Sequence, residues 1–198
     1  KDKVTGFEKF AYGCGEISTN IVFTIATSLL TMFYTDVAHV SAATIGMIIA
    51  ISQIFNGASD ICAGFIVDRT RSKYGRARVW MLRMSGPYAI AAILLMTVPQ
   101  IAPMAQAIYV FITYNLASTV CFTANAIAHS SMIGFMTMDT RSRGIVGVMS
   151  MISNTVFTIL VTNFFMKICK FFGGGETYTQ RGFTLTILVY LVFYAAAA

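Results

Sequence analysis

Charge is scarce in this chain. Only 11% of its 198 residues are charged, while 57% are hydrophobic. A water-soluble domain carries about 25% charge, so the composition excludes an ordinary soluble domain and points to a membrane protein. Proline is scarce as well, with three, and tryptophan occurs once. The four cysteines, Cys14, Cys62, Cys121 and Cys169, form no CxxC pair. Three of them fall in apolar runs, so they read as small apolar residues rather than a disulfide frame or a zinc site. Of the two histidines, His39 falls in a predicted outer loop and His129 in an apolar run. Haem ligation wants facing histidines at similar depth, so a haem site is not expected. There is no strand alternation, heptad repeat, nucleophile triad, metal-ligand spacing or dinucleotide fingerprint. Gly173-Gly174-Gly175-Glu176 lacks the Gly-Lys-Ser/Thr ending of a phosphate loop. Neither catalysis nor a cofactor is expected.

Six apolar runs remain, each long enough to cross a bilayer, which takes about 20 helical residues. They cover about 11–34, 42–66, 79–99, 104–135, 144–166 and 182–198. Only helices and closed barrels span bilayers, and these runs are too long and continuous for barrel strands. An all-α membrane protein of six spans is predicted. Pro99 and Pro103 punctuate one loop, and the glycines at 173–175 another.

The net charge of +6 could suit nucleic acid. The cations, however, cluster where anionic lipid headgroups would meet them. Arg69, Arg71, Lys73, Arg76 and Arg78 crowd the short break between the second and third runs. Lys1, Lys3, Lys9, Arg83, Arg141 and Arg143 fall on that same side, against Lys167, Lys170 and Arg181 on the other. The bias predicts both ends of the sequence in the cytoplasm, with membrane lipid rather than nucleic acid as the partner. The tail Ala195–Ala198 follows Tyr194 abruptly, and the chain is read as a piece of a longer protein.

Polar residues inside the runs carry the functional signal. At a rise of about 1.5 Å per residue, Asn20 lies roughly 13 Å deep, Asn56 roughly 16 Å and Thr123 roughly 18 Å. By the same rise Asp60 lies about 10 Å deep and Glu16 about 7 Å. Gln53, Asn56, Gly57, Asp60 and Gly64 recur at steps of three and four, so they share one helical stripe. Gly57 and Gly64 would let a neighbouring helix approach. Asn, Thr and Gly also simply join membrane helices. An isolated carboxyl such as Asp60 must either go neutral or take a cation, and both suit ion-coupled transport. Glu16, nearer the interface, could snorkel or meet the basic loop. His129 reads as a neutral hydrogen-bonding residue or, less simply, a proton carrier. Asp68 with Arg69, and Asp139 with Arg141 and Arg143, sit at inner span ends. They either orient the chain or form a breakable charge network at an inner gate.

Longer stretches carry a resemblance. They are Tyr12-Gly13-Cys14-Gly15-Glu16 with Asn20, Tyr34-Thr35-Asp36-Val37, Asp60 and Gly64, and Thr70-Arg71-Ser72-Lys73-Tyr74-Gly75-Arg76 up to Trp80. Thr137-Met138-Asp139 with Arg141 and Arg143, and the glycines at 173–175 with Gly182-Phe183-Thr184, complete the set. Together they resemble the N-terminal half of the glycoside–pentoside–hexuronide:cation symporters of the major facilitator superfamily. The resemblance implies one six-helix bundle, with a second, C-terminal bundle as its partner and the transport site between them. It implies a cation site at Asn20, Asn56, Asp60 and Thr123, with two acids of the sodium-coupled relatives here replaced by amides. That favours protons over sodium as coupling ion. It implies sugar contacts at Ala126 and Met151, where the family's acid or Asn and its basic residue are replaced, and puts Ala128 and His129 where the family has Pro and an aromatic. Glu16, Gln53, Ala126, His129 and Ser130 are the expected cavity residues. Asp68, Arg69, Arg71, Lys73, Gly75, Arg76, Arg78, Asp139, Arg141 and Arg143 are the expected inner-gate residues. A cation-coupled symporter for a sugar-like solute is the leading expectation. A lipid-like solute, a non-transporting scaffold or sensor of the same fold, and a subunit of a membrane enzyme are the alternatives.

Overall fold

The computed structural model describes residues 5–70, 75–174 and 178–197, with the backbone alone at Arg76, Ala196 and Ala197. Its helices are α1 (Gly6–Met32), α2 (Ala42–Arg69), α3 (Arg76–Leu95), α4 (Pro103–Tyr114), α5 (Thr123–Met136), α6 (Thr140–Gly173) and α7 (Gln180–Ala197). α1 runs on through a π-helical turn, Phe33–Val37, and α4 joins α5 through a longer one, Asn115–Phe122. No strand occurs among the described residues. Four rods, Gly6–Val37, Ala42–Arg69, Pro103–Met136 and Thr140–Gly173, are long and apolar enough to cross a membrane. α3 carries Arg76, Arg78 and Arg83, and the apolar part of α7 is shorter.

The ends of the rods follow local chemistry. Thr5 and Glu8 form a reciprocal capping box at the start of α1, with Thr5 N donating to Glu8 Oε2 at 2.8 Å. Ser41 caps α2 and Asp139 caps α6. Gly75 precedes α3 with φ of 89°, and Gly174 ends α6 in the left-handed region with φ of 94°, both conformations that glycine adopts without steric cost. The side chain of Trp80 donates to Thr70 Oγ1 at 2.7 Å, which ties the start of α3 to the end of α2.

Two rods form the centre. Of the most apolar stretch of each rod, 56% is buried for α1 and 50% for α4–α5, against 17% for α2 and for α6. α1 packs on α6 and α7, while α4–α5 packs on α2 and α3. Each central rod is thus surrounded largely by elements from the other half of the sequence. The core lies between them: Ile21, Ile25, Leu30, Phe33, Tyr88, Leu95, Val110, Phe165, Phe183 and Ile187 are almost fully buried. Large apolar side chains such as Ile54 on α2 and Phe164 on α6 are exposed, as a bilayer rather than water allows.

Close helix approach occurs at other glycines than the stripe on α2 suggested. Gly57 and Gly64 meet nothing, so they admit no neighbour from this chain. Instead a Cβ at Gly182 would lie 2.6 Å from the Cys169 carbonyl oxygen, where α7 crosses α6, and one at Gly13 would lie 3.0 Å from Ser153 Oγ on α6. Gly182→Ala in the full-length protein should therefore destabilise it by about 1–3 kcal/mol, the usual cost of overpacking. Gly46→Ala, with nothing within 4 Å, serves as the control. Thermal unfolding of the detergent-solubilised variants distinguishes them; equal midpoints would contradict the close crossing.

Candidate functional site

Two polar seams run through the apolar bundle. The first joins α2 to the π-helical segment. Asn115 donates to Ser52 Oγ at 2.8 Å, and the Thr119 hydroxyl donates to Asn56 Oδ1. Ser59 donates to the Thr119 carbonyl oxygen at 2.6 Å. The π-helical segment Asn115–Phe122 widens the rod where Asn115 and Thr119 project, and such bulges are frequent at functional sites. Ser52, Asn115 and Thr119 were missed in the sequence. Their signal was the four-residue step shared by Ser52–Asn56 and Asn115–Thr119.

The second seam joins α1 to α5. His129, with 2% of its surface exposed, stacks on Tyr12 with ring centroids 4.2 Å apart. Its Nδ1 lies 3.0 Å from Glu16 Oε2 and its Nε2 lies 3.1 Å from the Tyr12 carbonyl oxygen. Asn20 donates to Glu16 Oε1 at 2.9 Å, and the buried Ser150 of α6 faces the same carboxyl. Gly15 makes room: a Cβ there would lie 2.9 Å from His129 Nε2. Glu16 therefore turns to a buried imidazole at hydrogen-bond distance, and among the described residues it makes no ion pair with the basic loop. Below the ring a pocket of about 490 Å³ opens between α1, α3 and α5, with Glu8 and Arg78 among its polar residues and Met81, Met132 and Met136 in its apolar wall.

The predicted cation residues share a level without sharing contacts. The two cross-links of α2 are each 63 residues apart in sequence, which is a parallel register. It sets Asp60 level with Thr123. α1 runs antiparallel: Phe23 stacks on Phe122 at 4.0 Å, seven residues from the Glu16–His129 contact on both strands of the pair. That register sets Asn20 level with Asn125, about 3 Å from the Asp60 level at helical rise. Among the described residues, however, no hydrogen bond or ion pair joins Asp60 to Asn20, Asn56 or Thr123. Asp60 is exposed, and Thr123 is buried inside the bundle. Asn20 pairs with Glu16, and Asn56 with Thr119 and Gln53. α1 and α2 are not close neighbours along their length, because α4–α5 runs between them. Of the expected cavity residues, Gln53 and Ser130 are exposed and Ala126 is half-buried; Met151, the other implied sugar contact, is 73% exposed. Asn125, which the sequence reading passed over, is buried beside the Tyr194 hydroxyl.

At the basic end, Arg71 and Lys73 lie outside the described residues, as does the side chain of Arg76. The others do local work. Asp139 Oδ2 accepts from Ser142 N at 2.9 Å, capping α6. Arg143 Nε donates to the Thr137 carbonyl oxygen at 2.8 Å and its Nη2 to that of Gly134 at 3.4 Å, capping α5. These two expected gate residues thus satisfy helix ends, since unpaired backbone groups at a helix terminus are the stronger local demand. Asp68 and Arg69 end α2, Arg78 lines the pocket, and Arg141 starts α6 exposed.

The comparisons agree with this architecture. Residues 11–198 match the model of the MFS/sugar transport protein family. The chain belongs to this family, among the glycoside–pentoside–hexuronide:cation symporters of the major facilitator superfamily. It is 24% identical over 192 residues to the isoprimeverose transporter of Lactiplantibacillus pentosus, covering 97% of this chain and 40% of that protein. It is 30% identical to the putative glycoside/cation symporter YagG of Escherichia coli over 71% of the chain and 30% of the relative. It is 32% identical to the uncharacterized symporter YnaJ of Bacillus subtilis over 70% of the chain and 30% of the relative. The chain therefore spans 40% or less of each of these relatives. It is a multi-pass membrane protein of a transporter family, not an enzyme.

Two measurements test the local geometry. Removing Asn56 and Thr119 singly and together, as Asn56→Ala and Thr119→Val, should give a coupling energy of about 0.5–1.5 kcal/mol in a double-mutant cycle of thermal stability. Additive effects would sink the contact. The Ser142 hydrogen bonds hold the Asp139 carboxyl below the usual aspartate range. A carboxyl with a depressed folded pKa adds stability above its unfolded value of about 3.9, and that stability is lost as pH falls through the folded value. Asp139→Ala should thus lower the unfolding midpoint at neutral pH, with the difference from wild type shrinking as the solution is acidified below pH about 4.

Proposed function

We propose that residues 1–198 form the N-terminal six-helix bundle of a cation-coupled symporter for a sugar or glycoside-like solute, with protons favoured over sodium. The C-terminal bundle of the same transporter is its partner, membrane lipid surrounds it, and both ends of this bundle face the cytoplasm of an inner membrane, where the 29% identical symporter YicJ of Escherichia coli is named as residing. In this reading Asp60 holds the coupling ion, with Asn20, Asn56 and Thr123 around the site. Glu16, Gln53, Ala126, His129 and Ser130 border the solute path, and the basic loop from Asp68 to Arg78 helps shut the inner side.

One observation supports this most: Asp60 stands exposed on α2, within about one helical turn of the level of Asn20. A carboxyl turned to lipid would be costly, so this face calls for a hydrated cleft against a second bundle. The relatives named for isoprimeverose, glucuronide and glycosides support the solute class. The two amides among the four expected cation residues lower the local negative charge, which supports protons. A lipid-like solute is the second reading, supported by the apolar Ala126 and Met151 at the implied sugar contacts.

The full-length protein in proteoliposomes should accumulate radiolabelled isoprimeverose or a methyl glucuronide under an imposed proton gradient, and less under sodium. Asp60→Asn should reduce gradient-driven accumulation by about tenfold or more, a coupling loss of ordinary size. Unchanged accumulation would remove Asp60 from the mechanism. Absence of flux for either solute, under either gradient, would favour the scaffold reading. The 198-residue bundle alone should move neither.

A further inference from the structure

We propose that Glu16 and His129 together hold a coupling proton, at a site separate from Asp60, and that its loss opens the clasp between α1 and α5. This rests on the transport reading above and deepens it.

The argument is a count of hydrogens. A neutral imidazole has one donor nitrogen and one acceptor nitrogen. Here both nitrogens face oxygen: Nε2 faces the Tyr12 carbonyl at 3.1 Å, and Nδ1 faces Glu16 Oε2 at 3.0 Å. A carbonyl only accepts, so Nε2 carries a hydrogen. A hydrogen must also lie between Nδ1 and Oε2. It belongs either to an imidazolium facing a carboxylate or to a carboxylic acid facing a neutral ring. Both forms contain the same protons, one more than a neutral ring beside a carboxylate. Remove that proton and two lone pairs face each other at one of these contacts, beside a ring that is only 3% exposed, so the closed geometry loses a hydrogen bond. The closed clasp is therefore the loaded state. Loading takes one proton from water and release returns it to water; no bond between heavy atoms forms or breaks.

The surroundings allow such traffic. The pocket of about 490 Å³ reaches the ring from the basic end. The Glu16 side chain, 27% exposed, is reached from outside that pocket. Charged and titratable neighbours are few. α1 contributes Glu8 and Tyr12, whose hydroxyl donates to the His129 carbonyl at 3.5 Å, and α3 contributes Arg78. α2 contributes Asp60, level with Thr123 about 9 Å along the helix from His129. α6 contributes the Ser150 hydroxyl. Asn20, bonded to Glu16 Oε1, links this pair to the level of Asp60.

Glu16→Gln is the decisive variant. The amide nitrogen of Gln can donate to Nδ1 while Nε2 still donates to Tyr12, so the clasp closes with no extra proton. The full-length protein, with histidine labelled by ¹⁵N and the His129 signal assigned by its loss in His129→Gln, is placed in lipid nanodiscs and titrated. In the wild type the ring and the Glu16 carboxyl should lose one shared proton as pH rises. In Glu16→Gln the ring should keep a single hydrogen, on Nε2, across the same range. A wild-type ring that holds one hydrogen beside an ionised carboxylate at every pH would overturn the proposal. In proteoliposomes, with isoprimeverose as the probe, accumulation by Glu16→Gln is read relative to the variant's own exchange of solute for solute, so that a change in solute binding is separated from a change in proton coupling. The variant's accumulation under a proton gradient should fall by about tenfold or more. Wild-type accumulation in Glu16→Gln would also overturn it. If the wild type moves no isoprimeverose in either mode, the failure lies with the transport reading for that sugar, and the titration alone decides the pair.

Discussion

The contact between Glu16 and His129 joins the two central rods of the bundle. α1 and α4–α5 are the most buried of the four long rods, and each is surrounded mainly by helices from the other half of the sequence. An acid and an imidazole in an apolar interior have no good alternative to each other. Removing Glu16 would leave a nitrogen of a ring that is 3% exposed without its partner, which typically costs about 1–3 kcal/mol. The pair therefore sets the depth at which α1 lies against α5, and the stack of Phe23 on Phe122 continues that register one step further along. The positions of Asn20 and Tyr12 follow from it.

The α2 seam works differently. Its members are neutral, namely Ser52, Asn56, Asn115 and Thr119, so no single bond is strong. Their weight comes from repetition at a constant register. A bilayer supplies no water to unpaired amides, which makes such ladders effective at holding helices in place. The widened π-helical stretch is what lets Asn115 and Thr119 both reach α2. One side of α2 is thereby fixed to the bundle, while Asp60, four residues on from Asn56, is left on the open side. A transporter gains from this division. In the proposed symporter the bundle would stay rigid while the Asp60 carboxyl stays available to the cleft.

Much of the architecture was legible in the sequence because the bilayer is a demanding solvent. Each of the six apolar runs falls on a helix or on two joined helices, four of which are long and apolar enough to cross a membrane. α6 was the largest departure, beginning at Thr140 and ending at Gly173 rather than spanning 144–166, because Asp139 caps it at one end and left-handed Gly174 stops it at the other. The glycine stripe at Gly57 and Gly64 misled, since spacing reveals a shared face but not what lies opposite. The packing glycines, Gly13 and Gly182, have no other glycine three or four residues away in their helices, so they form no stripe like that on α2. Likewise Asp139 and Arg143 looked like a charge network because their charges are visible in sequence, whereas the backbone groups they satisfy are not.

What the sequence determined by itself was the solvent and the family: too little charge for water, apolar runs of bilayer length, and the basic motif from Thr70 to Arg76. It also marked Glu16, Asn20, Asn56, Asp60 and His129, because an acid, an amide or an imidazole within an apolar run is conspicuous wherever it later points, while Ser52, Asn115 and Thr119 were passed over. Partnership was decided only by tertiary structure. Glu16 and His129 are separated by 113 positions, and they meet because antiparallel packing of two distant helices brings them to one depth. Depth along a helix is additive and can be counted residue by residue. Which helix stands alongside, and which face it presents, depends on the packing of the whole bundle.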